Sequence, residues 1–200
     1  MDHPERGAGA LTPTRIALVA SLSLNVVLGV LVAGFLRGAA PLPEVSRLNQ
    51  QVRCGQGDAA ACREHVEETR QRCDRGDAEG CVLLGIMLQV GKSLPQDLPG
   101  AVAQFQKACA LKSGPGCWYL GTTAEYGRGA ERNLEAARTA YQQSCGAKHE
   151  NGCISLGDLL RRPGPLHDRD QALAAYDAAC AIPYEGGCAR AKELRAQPQQ

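Results

Sequence analysis

Cysteines are the residues of this 200-residue chain whose type and spacing could do chemistry. All ten fall into five pairs, and seven residues separate the two members of every pair. Structural zinc sites prefer about two to four residues between paired cysteines, and redox dithiols prefer about two. The spacing therefore favours structural disulfides over a metal or redox site, and no cofactor is predicted. The predicted bridges join Cys54 to Cys62, Cys73 to Cys81, Cys109 to Cys117, Cys145 to Cys153 and Cys180 to Cys188.

The segment between paired cysteines is short, polar and glycine-containing, as in residues 109–117. Such a segment suits the turn between two antiparallel helices. One cysteine then lies in the last turn of one helix and its partner in the first turn of the next. There the Cα atoms can approach within the roughly 4.4–6.8 Å that a disulfide needs. Each bridge closes a short loop, which stabilises the fold by on the order of 2–3 kcal/mol in the chain-entropy model.

Other sequence patterns give no support for catalysis. The chain has neither a Ser-x-x-Lys nor a Lys-Thr-Gly motif, and its four histidines lack His-Glu-x-x-His spacing. The segment from Gly85 to Ser93 resembles a phosphate-binding loop but has one residue too many after Gly85. The adjacent Glu67 and Glu68 lie on a stretch rich in Arg and Glu, which indicates a solvated helix face. We therefore predict a protein that is not an enzyme.

The charge balance argues against nucleic acid as a partner. The whole chain carries a formal net charge of +1, and the residues after the first forty contain 19 basic and 19 acidic side chains. Proteins that bind nucleic acid usually show a basic patch or stripe. No nucleic-acid partner is predicted.

Residues 16–36 form a run of 21 residues without a charged side chain. As a helix this run would be about 31 Å long, which matches the hydrocarbon thickness of a bilayer. The apolar core of a signal peptide is usually shorter, about 7–15 residues. We predict an uncleaved transmembrane signal-anchor, with a cleaved signal peptide as the alternative. The small residues Gly29 and Ala33 suggest self-association through this span.

The cysteines set the predicted orientation, because disulfides persist outside the reducing cytosol. Residues 1–15 are then a short cytoplasmic N-terminus, and the C-terminal domain faces the periplasm or another exported compartment. The predicted domain order is completed by a linker at 37–46, a repeat solenoid at 47–196 and a frayed tail at 197–200.

The cysteine pairs also define an internal repeat. The first members of the later pairs stand at 73, 109, 145 and 180, a period of about 36 residues that is typical of stacked helical pairs. Leu84-Gly85 recurs one and two periods later, and so does the aromatic position of Phe105. The shorter step from Cys54 to Cys73 predicts a truncated unit that caps the stack. Helices are predicted at 45–54, 60–73, 79–90, 97–112, 116–127, 133–147, 151–162, 168–181 and 185–196.

The predicted fold is all-α, a right-handed α/α superhelical solenoid of disulfide-stapled helix pairs preceded by one N-terminal transmembrane helix. The chain resembles the Sel1-like subclass of tetratricopeptide-type repeats. The residues that carry the resemblance are the recurring Leu-Gly pairs, the run Tyr126-Gly127-Arg128-Gly129, Ala136-Ala137, Tyr141 and the pair Cys145 and Cys153. The disulfide-bridged version is similar to the Helicobacter cysteine-rich protein family, over residues 50–195. Departures occur at Ser93 and at residues 163–165.

The resemblance implies a bacterial superhelical scaffold that binds protein or peptide partners. Some cysteine-rich members of the family are linked to penicillin binding and weak β-lactamase activity. The main prediction is a membrane-anchored scaffold of the bacterial inner membrane that binds such a partner in the cell envelope. The alternative is an envelope hydrolase or cell-wall-ligand (penicillin-type) binding protein.

Solenoids offer an extended face for binding. Positions three and four residues apart on the first helix of each repeat share one helical face, and here their residue types differ between units. Trp118 is the only tryptophan of the chain, and Trp and Arg are favoured anchors at interfaces. The same positions also suit ordinary, partly buried residues of the repeats. The candidate partner-binding residues are Trp118, Thr122, Glu125, Ile154, Asp158 and Arg161.

Overall fold

The computed structural model describes residues 43–182 and 186–197. The chain divides into two compact units, Met1–Ser46 and Arg47–Gln200, and the repeats lie in the second. Residues 1–15, the predicted span 16–36 and most of the predicted linker lie outside the described residues. Among the helices that the structure describes, none is both long enough and apolar enough to cross a bilayer.

The described residues form nine α-helices and no strand. All nine correspond to predicted helices, with ends that differ by two residues or fewer. Because α1 begins at Pro43, the last residues of the predicted linker are helical. The helices are α1 Pro43–Gly55, α2 Ala59–Asp74, α3 Ala78–Val90, α4 Leu98–Ala110, α5 Gly114–Tyr126, α6 Leu134–Gly146, α7 Glu150–Arg161, α8 Arg169–Cys180 and α9 Gly186–Ala196.

Each repeat pairs a first helix with a second helix: α3 packs on α4, α5 on α6 and α7 on α8. The first helices of neighbouring repeats also contact one another, from α3 through α5 and α7 to α9. The predicted solenoid of stapled helix pairs is therefore confirmed, while the handedness of its superhelix stays a prediction.

Five disulfides join the cysteines within each predicted pair, with Cα–Cα distances of 4.4–4.6 Å. Each bridge closes the turn between the end of one helix and the start of the next, and the Cys109–Cys117 and Cys145–Cys153 bridges thereby tie successive full repeats together. Because all ten cysteines are used, none is left as a thiol.

Close contacts between glycine and an aromatic ring define the packing within each repeat. A Cβ atom on Gly121 would lie 2.5 Å from Cδ1 and Cε1 of Tyr141, and Gly157 faces the ring of Tyr176 in the same way. In the first full repeat the ring is that of Phe105, which faces Gly85. All three rings are fully buried. These glycines allow each second helix to bring its ring against the first helix, which is the predicted packing column.

The second helices begin at polar caps, as predicted. Oδ1 of Asp97, Asn133 and Asp168 accepts a hydrogen bond from the backbone N–H three residues further on, at 2.8–2.9 Å. Such a cap satisfies one of the backbone donors that the first helical turn leaves unpaired.

Candidate functional site

A cavity of about 420 Å³ opens between the first helices α5, α7 and α9. We call it the first-helix groove. Five of the six predicted binding residues line it, and the sixth, Ile154, is half-buried beside Gly186 at the start of α9. The lining consists of Trp118, Thr122, Glu125, Tyr126, Tyr141, Ser155, Asp158, Arg161, Arg162 and Arg190.

Glu125 forms the buried floor of the groove, with 5% of its surface exposed. Its Oε2 accepts a hydrogen bond of 2.7 Å from the hydroxyl of Tyr141. Its Oε1 accepts one from the Arg162 guanidinium, which forms an ion pair with it. Burial, together with the hydrogen bond to Glu125, raises the pKa of Tyr141 far above its ordinary value, so the hydroxyl remains a donor. The carboxylate is thus held by two donors from neighbouring elements.

Asp158, on α7, forms a second cluster of the same kind. Oδ1 accepts a hydrogen bond of 2.6 Å from the hydroxyl of Tyr176, and Arg190 on α9 donates to both carboxylate oxygens at 2.6 Å. Burial and the bond to Asp158 raise the pKa of Tyr176. Arg161 lies 3.8 Å from Asp158 and donates to Glu193 at 3.3 Å. The cluster therefore links α7, α8 and α9.

The two clusters repeat one arrangement, in which a tyrosine ring rests on a glycine and its hydroxyl reaches a carboxylate on the first helix of the same repeat. The first full repeat lacks it, because Phe105 has no hydroxyl. Its ring instead stacks on Tyr119, with centroids 4.8 Å apart. The polar network thus begins at α5 and continues towards the C-terminus.

Aromatic side chains border the groove. Trp118 donates from Nε1 to the hydroxyl oxygen of Ser155 at 3.0 Å and keeps part of its ring exposed. Tyr126 is 60% exposed, and Arg128 lies over its ring at 5.5 Å. Trp118 and Tyr126 therefore offer flat apolar surfaces next to the charged clusters.

Several hydroxyl groups in and beside the groove are engaged in hydrogen bonds within the protein. Thr122 donates to a backbone carbonyl of its own helix, and both tyrosine hydroxyls are engaged by carboxylates. Within the described part of the chain, no group of three or more His, Cys, Asp and Glu side chains has the arrangement of a metal site.

Sequence reasoning missed several lining residues. Ser155 and Arg190 occupy one repeat position, two residues after the second cysteine of each pair. This position directly follows the one that holds the predicted binding residues Trp118 and Ile154. Including the next position of each first helix, α9 among them, would have added both residues. Arg162 follows the last residue of α7, and the tyrosine hydroxyls belong to a column that the sequence assigns to packing alone. No pattern in the sequence links them to the carboxylates.

No known family profile and no curated protein sequence matches the chain. Solved structures do match it. A Sel1 repeat protein from Oxalobacter formigenes is 19% identical with a TM-score of 0.57, over 62% of this chain and 51% of that protein. The protein c5321, described as a protective antigen of uropathogenic Escherichia coli with an SLR fold, is 17% identical with a TM-score of 0.61, over 76% and 37%. This chain therefore spans about half of the first protein and just over a third of the second.

The third similar structure is cysteine-rich protein B from Helicobacter pylori. It is 26% identical with a TM-score of 0.54, and the match covers 66% of this chain and 96% of that protein. The similarity to a cysteine-rich protein agrees with two features of the present chain, the packing of its helix pairs and its five disulfide bridges. The predicted resemblance is confirmed, and the described part of the chain has the Sel1-like repeat fold in its disulfide-bridged form.

Proposed function

We propose that this chain is a repeat scaffold that binds a protein or peptide partner through the first-helix groove. The observation that carries the proposal is the convergence of Trp118, Thr122, Glu125, Asp158 and Arg161 on one cavity. These positions vary between repeats, whereas the glycine and aromatic packing positions recur. Variation on a constant framework is what a surface adapted to one partner requires.

Preorganisation supports the same function. Disulfides fix the turns between repeats, and the carboxylate clusters hold the side chains of Arg162 and Arg190 in place. A partner then binds without first ordering these long side chains, each of which would otherwise cost about 0.5–1.5 kcal/mol. Rigid display is therefore the proposed mechanism.

The proposal includes a membrane anchor and an exported domain. Residues 16–36 supply the uncharged run, and the five bridges suit an oxidising compartment such as the bacterial periplasm. Residues 1–15 would remain in the cytoplasm, and pairing of two chains would run through Gly29 and Ala33. Protease added to cells with a permeabilised outer membrane tests the topology. Digestion of the repeat domain is expected there, and protection in those cells would contradict the proposal.

Site-specific crosslinking tests the groove. A photoreactive amino acid replaces Thr122, which lines the groove, or Thr139, which is exposed on the second helix α6. The two threonines are matched, because each donates its hydroxyl to a carbonyl of its own helix. A specific adduct is expected only from the Thr122 position. The same adduct from both positions would place the binding elsewhere, and no adduct from either would reject a stable partner in the groove.

The hydrolase alternative has its own test. Purified protein with intact bridges is incubated with a chromogenic β-lactam, and the scaffold proposal predicts no turnover. Reproducible hydrolysis that copurifies with the protein would reject the scaffold-only function.

A further inference from the structure

Guanidinium groups provide most of the charge that solvent meets in the first-helix groove. The side chains of Arg161, Arg162 and Arg190 are 35%, 48% and 40% exposed, whereas that of Glu125 is 6% exposed. Asp158 is as exposed as Arg161, but its two oxygens already accept from Arg190 and Tyr176. Glu125 therefore supports Arg162 from beneath, and Asp158 is already occupied by its partners, so the three guanidinium groups remain open to solvent.

Each of these arginines keeps donor capacity. Arg190 donates from Nη1 to Asp158, and Arg161 donates from Nη1 to Glu193. Arg162 donates from Nη2 to Glu125 and from Nε to a backbone carbonyl. Across residues 43–182 and 186–197, at least one further nitrogen of each guanidinium has no hydrogen-bond partner. A planar guanidinium with free nitrogens matches the geometry of an incoming carboxylate.

The cationic surface continues past the groove. An adjoining cavity of about 730 Å³ shares Arg161 and Arg162 with it and adds Arg169, against one acidic residue, Glu193. The chain beyond its first forty residues is balanced in charge as a whole. Arg161, Arg162, Arg169 and Arg190 therefore form a local group of cations at this face and its continuation.

We propose that the first-helix groove recognises an acidic peptide segment, with side-chain carboxylates received by Arg161, Arg162 and Arg190. A neighbouring apolar side chain of the peptide would lie against the exposed part of Trp118. The inference rests on the proposed scaffold function and adds the chemistry of the partner. Charge complementarity selects an acidic sequence and excludes a basic one, because like charges placed together oppose binding.

Defined peptides test the inference. A fluorescein-labelled hexaglutamate, blocked at both ends so that it has no terminal carboxylate, is titrated against the disulfide-bonded protein and followed by anisotropy. Blocked hexaglutamine and hexalysine serve as comparisons. Saturable binding is expected for hexaglutamate alone, and it should weaken when the salt rises from about 50 mM to about 500 mM because screening shortens the range of the attraction. Emission from Trp118, the only tryptophan, reports whether the peptide occupies the groove.

A matched pair of variants locates the binding on α9. Arg190 and Arg195 both donate to the two oxygens of one aspartate, but Arg195 pairs with Asp177 and does not line the groove. Arg190→Gln should weaken hexaglutamate binding about tenfold, the loss typical of one charged hydrogen bond. Arg195→Gln should leave the affinity within about twofold.

A third variant should act in the opposite direction. Glu193→Gln removes the exposed carboxylate that competes for Arg161, so it should strengthen hexaglutamate binding by about threefold, as expected for a weak surface ion pair. Damage to the fold cannot produce a gain of affinity.

The inference is overturned if hexaglutamate fails to bind, if hexaglutamine binds equally well, or if Arg195→Gln weakens binding as much as Arg190→Gln. It is also overturned if only an unblocked peptide binds, because the ligand would then be a terminal carboxylate. A Thr122-specific crosslink to a partner, combined with no binding of hexaglutamate, would leave the scaffold function intact and reject its acidic specificity alone.

Discussion

Replacing Tyr141 with phenylalanine removes one hydroxyl from the cluster around Glu125, the most buried carboxylate among the described residues. The Tyr141 ring would keep its contact with Gly121, so the packing should be unchanged. What is lost is the 2.7 Å hydrogen bond to Oε2 of Glu125. Arg162 remains on the other carboxylate oxygen, and the exposed fraction of Glu125, 5%, leaves little room for water to replace the hydroxyl.

The expected loss follows from this burial. A hydrogen bond to a charged group contributes about 1.5–3 kcal/mol, so Tyr141→Phe should lower the free energy of unfolding by about 2 kcal/mol. Tyr176→Phe is the matched control, since its acceptor Asp158 keeps Arg190 on both oxygens and is 35% exposed. Water can reach that site, and the control should lose only about 0.5–1 kcal/mol.

Guanidinium unfolding of the disulfide-bonded proteins measures both losses, provided that the slope with denaturant concentration is unchanged. In a thermal experiment the Tyr141 variant should melt about 4–8 °C lower. A double-mutant cycle with Glu125→Gln isolates the hydroxyl–carboxylate contact. Equal losses for both tyrosines, or a larger loss for Tyr176→Phe, would refute the argument that burial of the acceptor sets the magnitude.

Three further predictions concern packing, redox behaviour and pH. Gly121→Ala should destabilise the protein by about 1–3 kcal/mol through its clash with the Tyr141 ring, whereas Gly146→Ala, which meets open space, should be neutral or slightly stabilising; equal melting temperatures would contradict this. Under limiting reductant, alkylation mapped by mass spectrometry should find the Cys180–Cys188 bridge, whose Cys188 is exposed, opened first and the fully buried Cys73–Cys81 bridge last; a uniform rate would show that burial does not protect the bridges. Burial lowers the pKa of His65 and of His149 below the ordinary 6.5, so the unfolded chain binds protons that the folded one does not. Stability should therefore be complete above pH 6.5 and fall as the pH drops through the folded pKa values; unfolding midpoints that are the same at about pH 7.5 and about pH 5 would refute it.

The fold could be predicted because local spacing determines it. The cysteine separation places a tight turn at a fixed interval, and the Leu-Gly and aromatic columns place the helices on either side. One packing column went unnoticed, the glycine that precedes the second cysteine at residues 80, 116, 152 and 187. A Cβ atom on Gly116 would lie 2.5 Å from Cβ of Ala108. The close approach at these four bridges therefore favours glycine beside the cysteine, whereas at the first bridge Ala61 precedes Cys62.

Conformation at the turns was less predictable. The third residue after the first cysteine has a positive φ in four turns, and it is Gly57 and Gly76 in two of them but Lys112 and Lys148 in the others. A lysine there adopts a left-handed conformation that favours glycine. The sequence alone gives no reason to expect it, because the conformation is imposed by the disulfide and the two helices that the turn connects.

The groove was predicted only in part, because its clusters join residues from three separate helices. Each hydroxyl–carboxylate contact depends on the position of a tyrosine hydroxyl from a second helix relative to the carboxylates of the first helices. The spacing of residues within one helix does not determine that position. The carboxylates also occupy different columns: Glu125 lies four residues after Gly121, and Asp158 lies one residue after Gly157. A search for recurring columns cannot find a contact that each repeat makes from a different position.

Three contacts fix the geometry of a repeat, and they are distributed differently among the repeats. The bridge ties one repeat to the next, and the ring on glycine ties the two helices of one repeat; both occur in all three full repeats. The hydroxyl–carboxylate contact occurs only in the repeats that contain Tyr141 and Tyr176. Since the first two contacts already determine the fold, the third is free to vary, and it organises the arginines of the groove. Under the proposed function, the N-terminal repeat supports the solenoid, and selection of a partner would belong to the repeats from α5 onward.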